Sequence, residues 1–295
     1  MKFGLLPASM LEDIDFKLPA EPLFNKRVLK DRPVAHPHIY TGAGKWGRKE
    51  WVGLVYPKGT RESQYLQEYI KNFNSIELNA TYYKAYDETI IRRWGEQARG
   101  EDFVFCPKVP QAISHYSRLS NANERTTYFL DGLLGFGKHL GAIFLQLSDK
   151  FGPNRKQQLY DYVAQLPKDL LFFVELRHPQ WFTEEDVMMD LFNFLLKEKV
   201  GLVITDTAGR RDLLHMHLTL PKTFVRFVAN KHPTDFTRID DWMHRLKYWL
   251  NHGLKECYFF LHTPDEKYTP ELGVYLAEQL KRVCGIEIKK PQLLK

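Results

Sequence analysis

The chain has 295 residues, of which 44% are apolar, 14% aromatic and 26% charged, and its 42 basic and 36 acidic side chains leave a net charge of +6. That is enough apolar material for one large core or two ordinary ones, with the charge of a typical soluble surface. No apolar run approaches the roughly 18 residues that cross a bilayer, which excludes a membrane-spanning helix at this stage.

At the start, M-K-F-G-L-L-P-A-S-M-L-E-D-I-D turns acidic before a signal-like apolar core develops, so no export signal is expected. Residues 1–38 contain five prolines and no clear period, and read as an arm lying on a single domain over 39–295. Short β-rich runs then recur at 39–42, 75–79, 103–108, 142–146, 172–177, 202–206, 224–227 and 258–262. Their spacing, roughly 20 to 40 residues, is that of strand–helix units rather than hairpins.

Helical signals fill the intervals. Leu66, Tyr69, Ile70 and Phe73 recur at i, i+3, i+4 and i+7, and Asp87 is placed to cap a helix that presents Ile90, Ile91, Trp94 and Ala98. T-E-E-D at 183–186 reads as a Thr cap before Val187, Leu191 and Leu195. Trp242, Leu246, Trp249 and Leu250 form a stripe ending at N-H-G, and T-P-E at 269–271 opens the last helix. Eight such units in about 250 residues predict an α/β fold, a (β/α)8 TIM barrel with an N-terminal extension. The alternative, an open doubly wound sheet, lacks its phosphate turn, because G-A-G-K-W-G at 42–47 fits neither the dinucleotide nor the P-loop pattern.

In a barrel the alternating inward face lines the lumen, and chemistry sits at the strands' C-terminal ends. The inward positions nearest those ends read as Glu77 and Asn79, Lys108, Gln146, Glu175 and Arg177, Asp206, Arg226 and His262, above apolar positions that include Phe144, Phe173, Ile204 and Phe224. The run F-F-V-E-L-R-H-P-Q-W-F (172–182) shows the change within one strand, since Phe173, Glu175 and Arg177 share a face. Such a mouth suits acid–base catalysis, with Glu77, Glu175, His178 and Asp206 as catalytic candidates and His115 as a further imidazole. Opposite charges ~4 Å apart interact by roughly 4 kcal/mol at an effective dielectric near 20. An acid beside Arg177, Arg226 or Lys108 is therefore held ionised, as a base or an orienting group, and one without a cation is free to act as an acid.

Lys108, Arg177 and Arg226 would clamp an anion, with Asn79, Gln146 and His262 completing a substrate site for a hydroxyl-bearing molecule. Trp46, Tyr83 and Trp181, together with Trp51 and Tyr82, follow strand ends and would wall a flat ligand. Glu77, Glu175, His178 and Asp206 are also suitable donors for a divalent metal, in competition with the three cations. A Lys108 Schiff base is opposed by the neighbouring acids, and a glycosidase pair would need a defined Glu77–Glu175 separation. His215 and His217 read as loop or packing residues. Cys106, Cys257 and Cys284 lack paired or metal-ligand spacing, which suits reduced thiols in the cytoplasm.

The motifs G-A-G-K-W-G-R-K-E-W, F-N-S-I-E-L-N-A-T-Y-Y, F-C-P-K-V-P-Q-A-I-S-H, L-G-A-I-F-L-Q-L and V-E-L-R-H-P-Q-W-F, with the Asp206 and Arg226 strand ends, resemble the YecE-like family, domain of unknown function 72. The resemblance spans roughly residues 39–285 and implies a TIM barrel without a settled activity. Where relatives tend to read G-T-S-G-W-S-Y, this chain has Gly42-Ala43-Gly44-Lys45-Trp46-Gly47-Arg48, which adds two cations, and His262 stands where an asparagine is usual. The leading expectation is a cytoplasmic enzyme using acid–base catalysis on a small anionic, sugar-phosphate-like molecule. The alternatives are a nucleic-acid-binding protein with metal-assisted phosphodiester cleavage, motivated by the basic balance and stackable rings, and a non-catalytic ligand sensor.

Overall fold

The computed structural model describes residues 3–30 and 32–294, so residues 1, 2 and 31 of the expected arm and residue 295 lie outside the described residues. Eight strands follow in chain order: β1 (His38–Ala43), β2 (Ser75–Leu78), β3 (Val104–Pro107), β4 (Ile143–Gln146), β5 (Phe172–Glu175), β6 (Gly201–Asp206), β7 (Lys222–Val228) and β8 (Glu256–His262). The α-helices are α1 (Tyr65–Asn72), α2 (Ala80–Tyr83), α3 (Glu88–Gln97), α4 (Asn123–Leu133), α5 (Lys156–Ala164), α6 (Gln180–Thr183), α7 (Glu185–Glu198), α8 (Thr234–Asn251) and α9 (Tyr268–Gln279). All strand pairs are parallel. Six strands form a curled sheet in the order β1-β8-β7-β6-β5-β4, and β2 pairs with β3 separately.

Two junctions join these sheets. Between β3 and β4, Gly141 N donates to Phe105 O at 2.8 Å and Val109 N to Phe144 O at 2.9 Å. Between β1 and β2, side chains do the work of a ladder. Thr41 N donates to Asn74 Oδ1 (2.7 Å), Asn74 Nδ2 donates to Ile39 O (2.8 Å), and the Tyr69 hydroxyl accepts from Ala43 N and donates to Ser75 O. Gly42 is required there, because a Cβ would sit 2.0 Å from Ser75 O.

Residues paired across a parallel ladder share a face, which fixes what points inward. The pairs Phe144↔Phe173, Phe173↔Gly201, Val203↔Phe224 and Phe224↔Tyr258 build an interior aromatic plug of Phe144, Phe173, Phe224, Tyr258 and Phe260. Fully burying each such ring stabilises by about 1.5–3 kcal/mol. Gly201 belongs to this layer: a Cβ there would meet the Phe173 ring at 2.2 Å.

The pairing also corrects the expected phase of β6. Val203 and Thr205 point inward, not Ile204 and Asp206, because Val203 and Thr205 are the residues paired with Phe224 and Arg226. Three helix expectations also change, the first being that α9 starts at Tyr268 after Lys267, so that Thr269 and Pro270 lie inside its first turn instead of opening it. Thr183 ends the short α6 instead of capping α7, whose preceding residue Glu184 makes no side-chain cap bond. After β6 the chain makes only the 3-10 turn Ala208–Leu213, with no α-helix among the described residues before β7. The arm covers that position: Phe24 packs on Phe192 of α7, Glu21 pairs with Arg245 of α8 at 2.9 Å, and Asn25 binds Met216 O and Leu218 N. Asp87 caps α3 as expected, accepting from Ile90 N at 3.1 Å.

Candidate functional site

Above the aromatic plug lies a layer of charge. Arg226 spans two carboxylates, donating from Nε and Nη2 to Glu77 (2.8 and 2.7 Å) and from Nη1 to Glu175 (2.6 Å). Glu77 also accepts from Asn79 Nδ2 and His262 Nε2, both at 2.9 Å. Glu175 accepts in addition from Arg177 Nε (2.7 Å) and Thr205 Oγ1 (3.0 Å). Burial pushes the Glu77 carboxyl up, but Arg226 and His262 outweigh it and hold the group well below the carboxylate range. Burial likewise opposes ionisation of Glu175, yet Arg177 and Arg226 bring it down to about 2. Both carboxylates are thus permanent anions at neutral pH, saturated with donors.

Over this layer opens a cavity of about 590 Å³, lined on one side by Lys108, Tyr82, Tyr83 and His115 and on another by Lys45, Arg48, His262 and Glu266. Arg177, Arg226, Asn79 and Gln146 also face it. Lys108 Nζ donates to Gln146 Oε1 at 2.8 Å and lies 4.0 Å from the Tyr82 ring centre. No carboxylate among the described residues is within ion-pair distance of it. Burial, then repulsion from Arg226, lowers its pKa to about 7 against the partial pull of Glu175 and Glu77. The acids that were expected to keep Lys108 charged are already neutralised by arginines. His115 is lowered by burial, with Lys108 and Arg177 adding to the effect. Glu266 pairs with Arg48, and Trp51 Nε1 fixes its backbone oxygen at 2.7 Å. Its carboxyl is raised by burial against the pull of Arg48. At the β5–β6 side of the mouth, Phe3 of the arm stacks on the Arg177 guanidinium (4.0 Å), and Gly4 O accepts from Gly209 N at 2.8 Å.

Residues 40–293 match the family model described as "Protein of unknown function DUF72". The chain belongs to the DUF72 family. It is 32% identical over 263 residues to UPF0759 protein YecE of Escherichia coli strain K12, covering 83% of this chain and 93% of that protein, and the O157:H7 protein matches equally. A crystal structure of a DUF72 family protein from Enterococcus faecalis V583 superposes with a TM-score of 0.66 at 20% identity, over 86% of this chain and 100% of that one. A second crystal structure of that protein gives 0.61 at 19%. At such identity these structures support the fold alone. The match starts at residue 40, so the arm of this DUF72 protein lies outside the family segment.

Within this DUF72 site, Asn79, Tyr83, Lys108, Gln146, Arg177, Arg226 and His262 come together around one cavity. Glu77 and Glu175 lie beneath it. Asp206 does not reach the mouth: it lies on the outer, helix-covered face of β6, bound by Arg238 (2.9 Å), Arg211 and Trp242 Nε1 (2.8 Å). Burial raises the Asp206 carboxyl, but Arg238 and Arg211 outweigh it and the pKa falls. His178 is set apart on the loop beside Gly152, its Nδ1 accepting from Gln180 N. Trp46 is half-buried against Trp94 and Phe105, the fully buried Trp181 donates to Phe151 O, and neither lines the cavity. The four donors named for a metal therefore do not converge, and no cluster of three or more His, Cys, Asp or Glu among the described residues could hold one. Sequence reasoning missed Thr205, through the phase error, and Glu266 and Thr263, which lie beyond the last strand. No described helix is long and apolar enough to cross a membrane.

Proposed function

We propose that the two sheets form a single (β/α)8 ring and that its mouth binds a small anionic molecule on which Lys108 performs proton transfer. One observation carries this reading: Lys108 faces the cavity on a neutral amide and an aromatic face, with a pKa near the pH at which a base is most useful. Arg177 and Arg226, with Lys45 and Arg48, supply the positive field for a sugar-phosphate-like substrate. Glu266, the cavity's carboxyl with a raised pKa, is the partner acid. Glu77 and Glu175 act indirectly, by orienting Arg226 and Arg177, whose positive charge helps Lys108 lose its proton against the carboxylates' own pull. A cytoplasmic location belongs to the same reading, supported by three unpaired cysteines.

Deuterium exchange reads this chemistry before the product is known. A panel of C3–C6 sugar phosphates incubated with the protein in D2O is followed by NMR at protons next to the carbonyl. The wild type should label at least one member, at a rate rising with an apparent pKa near 7, and Lys108→Met should lower that rate by at least about 100-fold. Anion binding without exchange would make the mouth a sensor, and no binding at all would overturn the reading.

A further inference from the structure

On the far side of Tyr83 lies a second hollow, of about 280 Å³, lined by Ala85, Pro110, Ala112, Ile113 and Tyr128 with Lys84, Arg125 and Glu124. Tyr83 lines both this hollow and the charged cavity. The second hollow also shares a chain segment with the first, because Pro110–Ile113 runs on into His115 of the π-turn Ala112–Tyr116. Tyr83 is 72% exposed and Tyr128 56% exposed, and with Tyr116 at 74% and Tyr248 at 40% they are the tyrosines most open to solvent among the described residues. The Tyr83 ring meets Tyr82 edge-on with centroids 5.1 Å apart, and Tyr82 carries the Lys108 ammonium. The line Lys108–Tyr82–Tyr83 therefore runs from an anion-attracting cavity to the edge of an apolar hollow.

From this juxtaposition we infer that the ligand is an anion bearing a planar ring: its anionic group sits among Lys45, Lys108, Arg177 and Arg226, and its ring lies over Tyr83 in the second hollow. This extends the reading of the cavity as an anion site and rests on it. A plain sugar phosphate would leave the hollow wet and Tyr83 uncovered. A ring attached to the anion would stack on Tyr83 while Lys84 and Arg125, against the single acid Glu124, favour the same sign of charge. A nucleobase and a simple aryl group share this chemistry.

Calorimetric titration of the full chain with inorganic phosphate, phenyl phosphate, AMP and adenosine tests the inference, in the wild type and in Tyr83→Ala and Tyr83→Phe. Ring-bearing phosphates should bind about tenfold or more tightly than inorganic phosphate, the gain that stacking on one aromatic residue supplies. Tyr83→Ala should erase that gain, so that ring-bearing and inorganic phosphate bind alike, and Tyr83→Phe should keep it. AMP well above phenyl phosphate would assign the ring to a nucleobase, and equal gains would assign it to any planar group; either supports the inference. Equal affinity of the wild type for phosphate with and without a ring, or a ring gain that survives Tyr83→Ala, would overturn it. A gain seen only with a single-stranded oligonucleotide would replace the small ligand with a strand. Failure of inorganic phosphate to bind would remove the cavity reading itself, whereas phosphate binding without a ring gain removes only this extension.

Discussion

Replacing Arg226 with Met is expected to lower stability at pH 7 by about 3–5 kcal/mol, the cost of leaving buried charge uncompensated. Arg226 contributes three hydrogen bonds to two carboxylates that have at most 1% exposure. Asn79 and His262 would still donate to Glu77, and Arg177 and Thr205 to Glu175, so the fold should survive in weakened form. The pH dependence identifies the cause. In the wild type both carboxyls have depressed pKa values, so the stability they contribute is present above the unfolded value, near 4.5, and is lost only as pH falls through the folded one, about 2 for Glu175. In the variant, burial without Arg226 raises both groups, and protonation relieves the strain at a higher pH. Urea denaturation should therefore show the gap between the two proteins shrinking from pH 7 towards about 4. A gap below about 1 kcal/mol at pH 7 would mean that the ion layer is not what holds this end of the fold.

Lys108→Met should do the opposite, raising stability at pH 6–7 by about 1–3 kcal/mol while removing the proposed proton transfer. Lys108 is buried beside Arg226 and Arg177, and its folded pKa of about 7 lies below its ordinary value of 10.5. Between those two values the unfolded chain binds more protons than the folded one, so the wild type gains stability as pH rises through this window. Below about 7 the full penalty is present. Methionine carries no such penalty, so the stability difference between variant and wild type should be largest below pH 7 and decline towards pH 10. Taking the difference cancels the buried cysteines and tyrosines, which titrate equally in both proteins. A difference that stays flat across the window would show that Lys108 is as solvated in the fold as out of it.

Much of the mouth was legible because a strand whose inward face changes from Phe to Glu or Arg carries its own phase. Phe173-Val174-Glu175 and Phe224-Val225-Arg226 declare which side is wet, and both residues land where the alternation puts them. G-L-V-I-T-D does not. It is buried on both faces, so Asp206 looked like one more polar tip when it is an outward ion pair beneath α8. The clue lay at Gly201, whose missing side chain makes room for Phe173 and marks the inward series Gly201, Val203, Thr205. Tryptophans just past strand ends carried no direction: Trp181 turned into the core and Trp46 lies half-buried against Trp94. The lowered proton affinity of Lys108 was legible only as an alternative that the neighbouring acids were expected to oppose. Its proton affinity depends on Arg226 having already claimed both Glu77 and Glu175, a three-dimensional fact that no spacing in the chain encodes.

Everything functional here turns on the charge state of one amine. NMR titration of the protein labelled with [13Cε]-lysine, with the Lys108 signal assigned by its loss in Lys108→Arg, measures that state directly. A midpoint near 7 is the expected result. A midpoint near 10.5, the ordinary lysine value, would contradict the account.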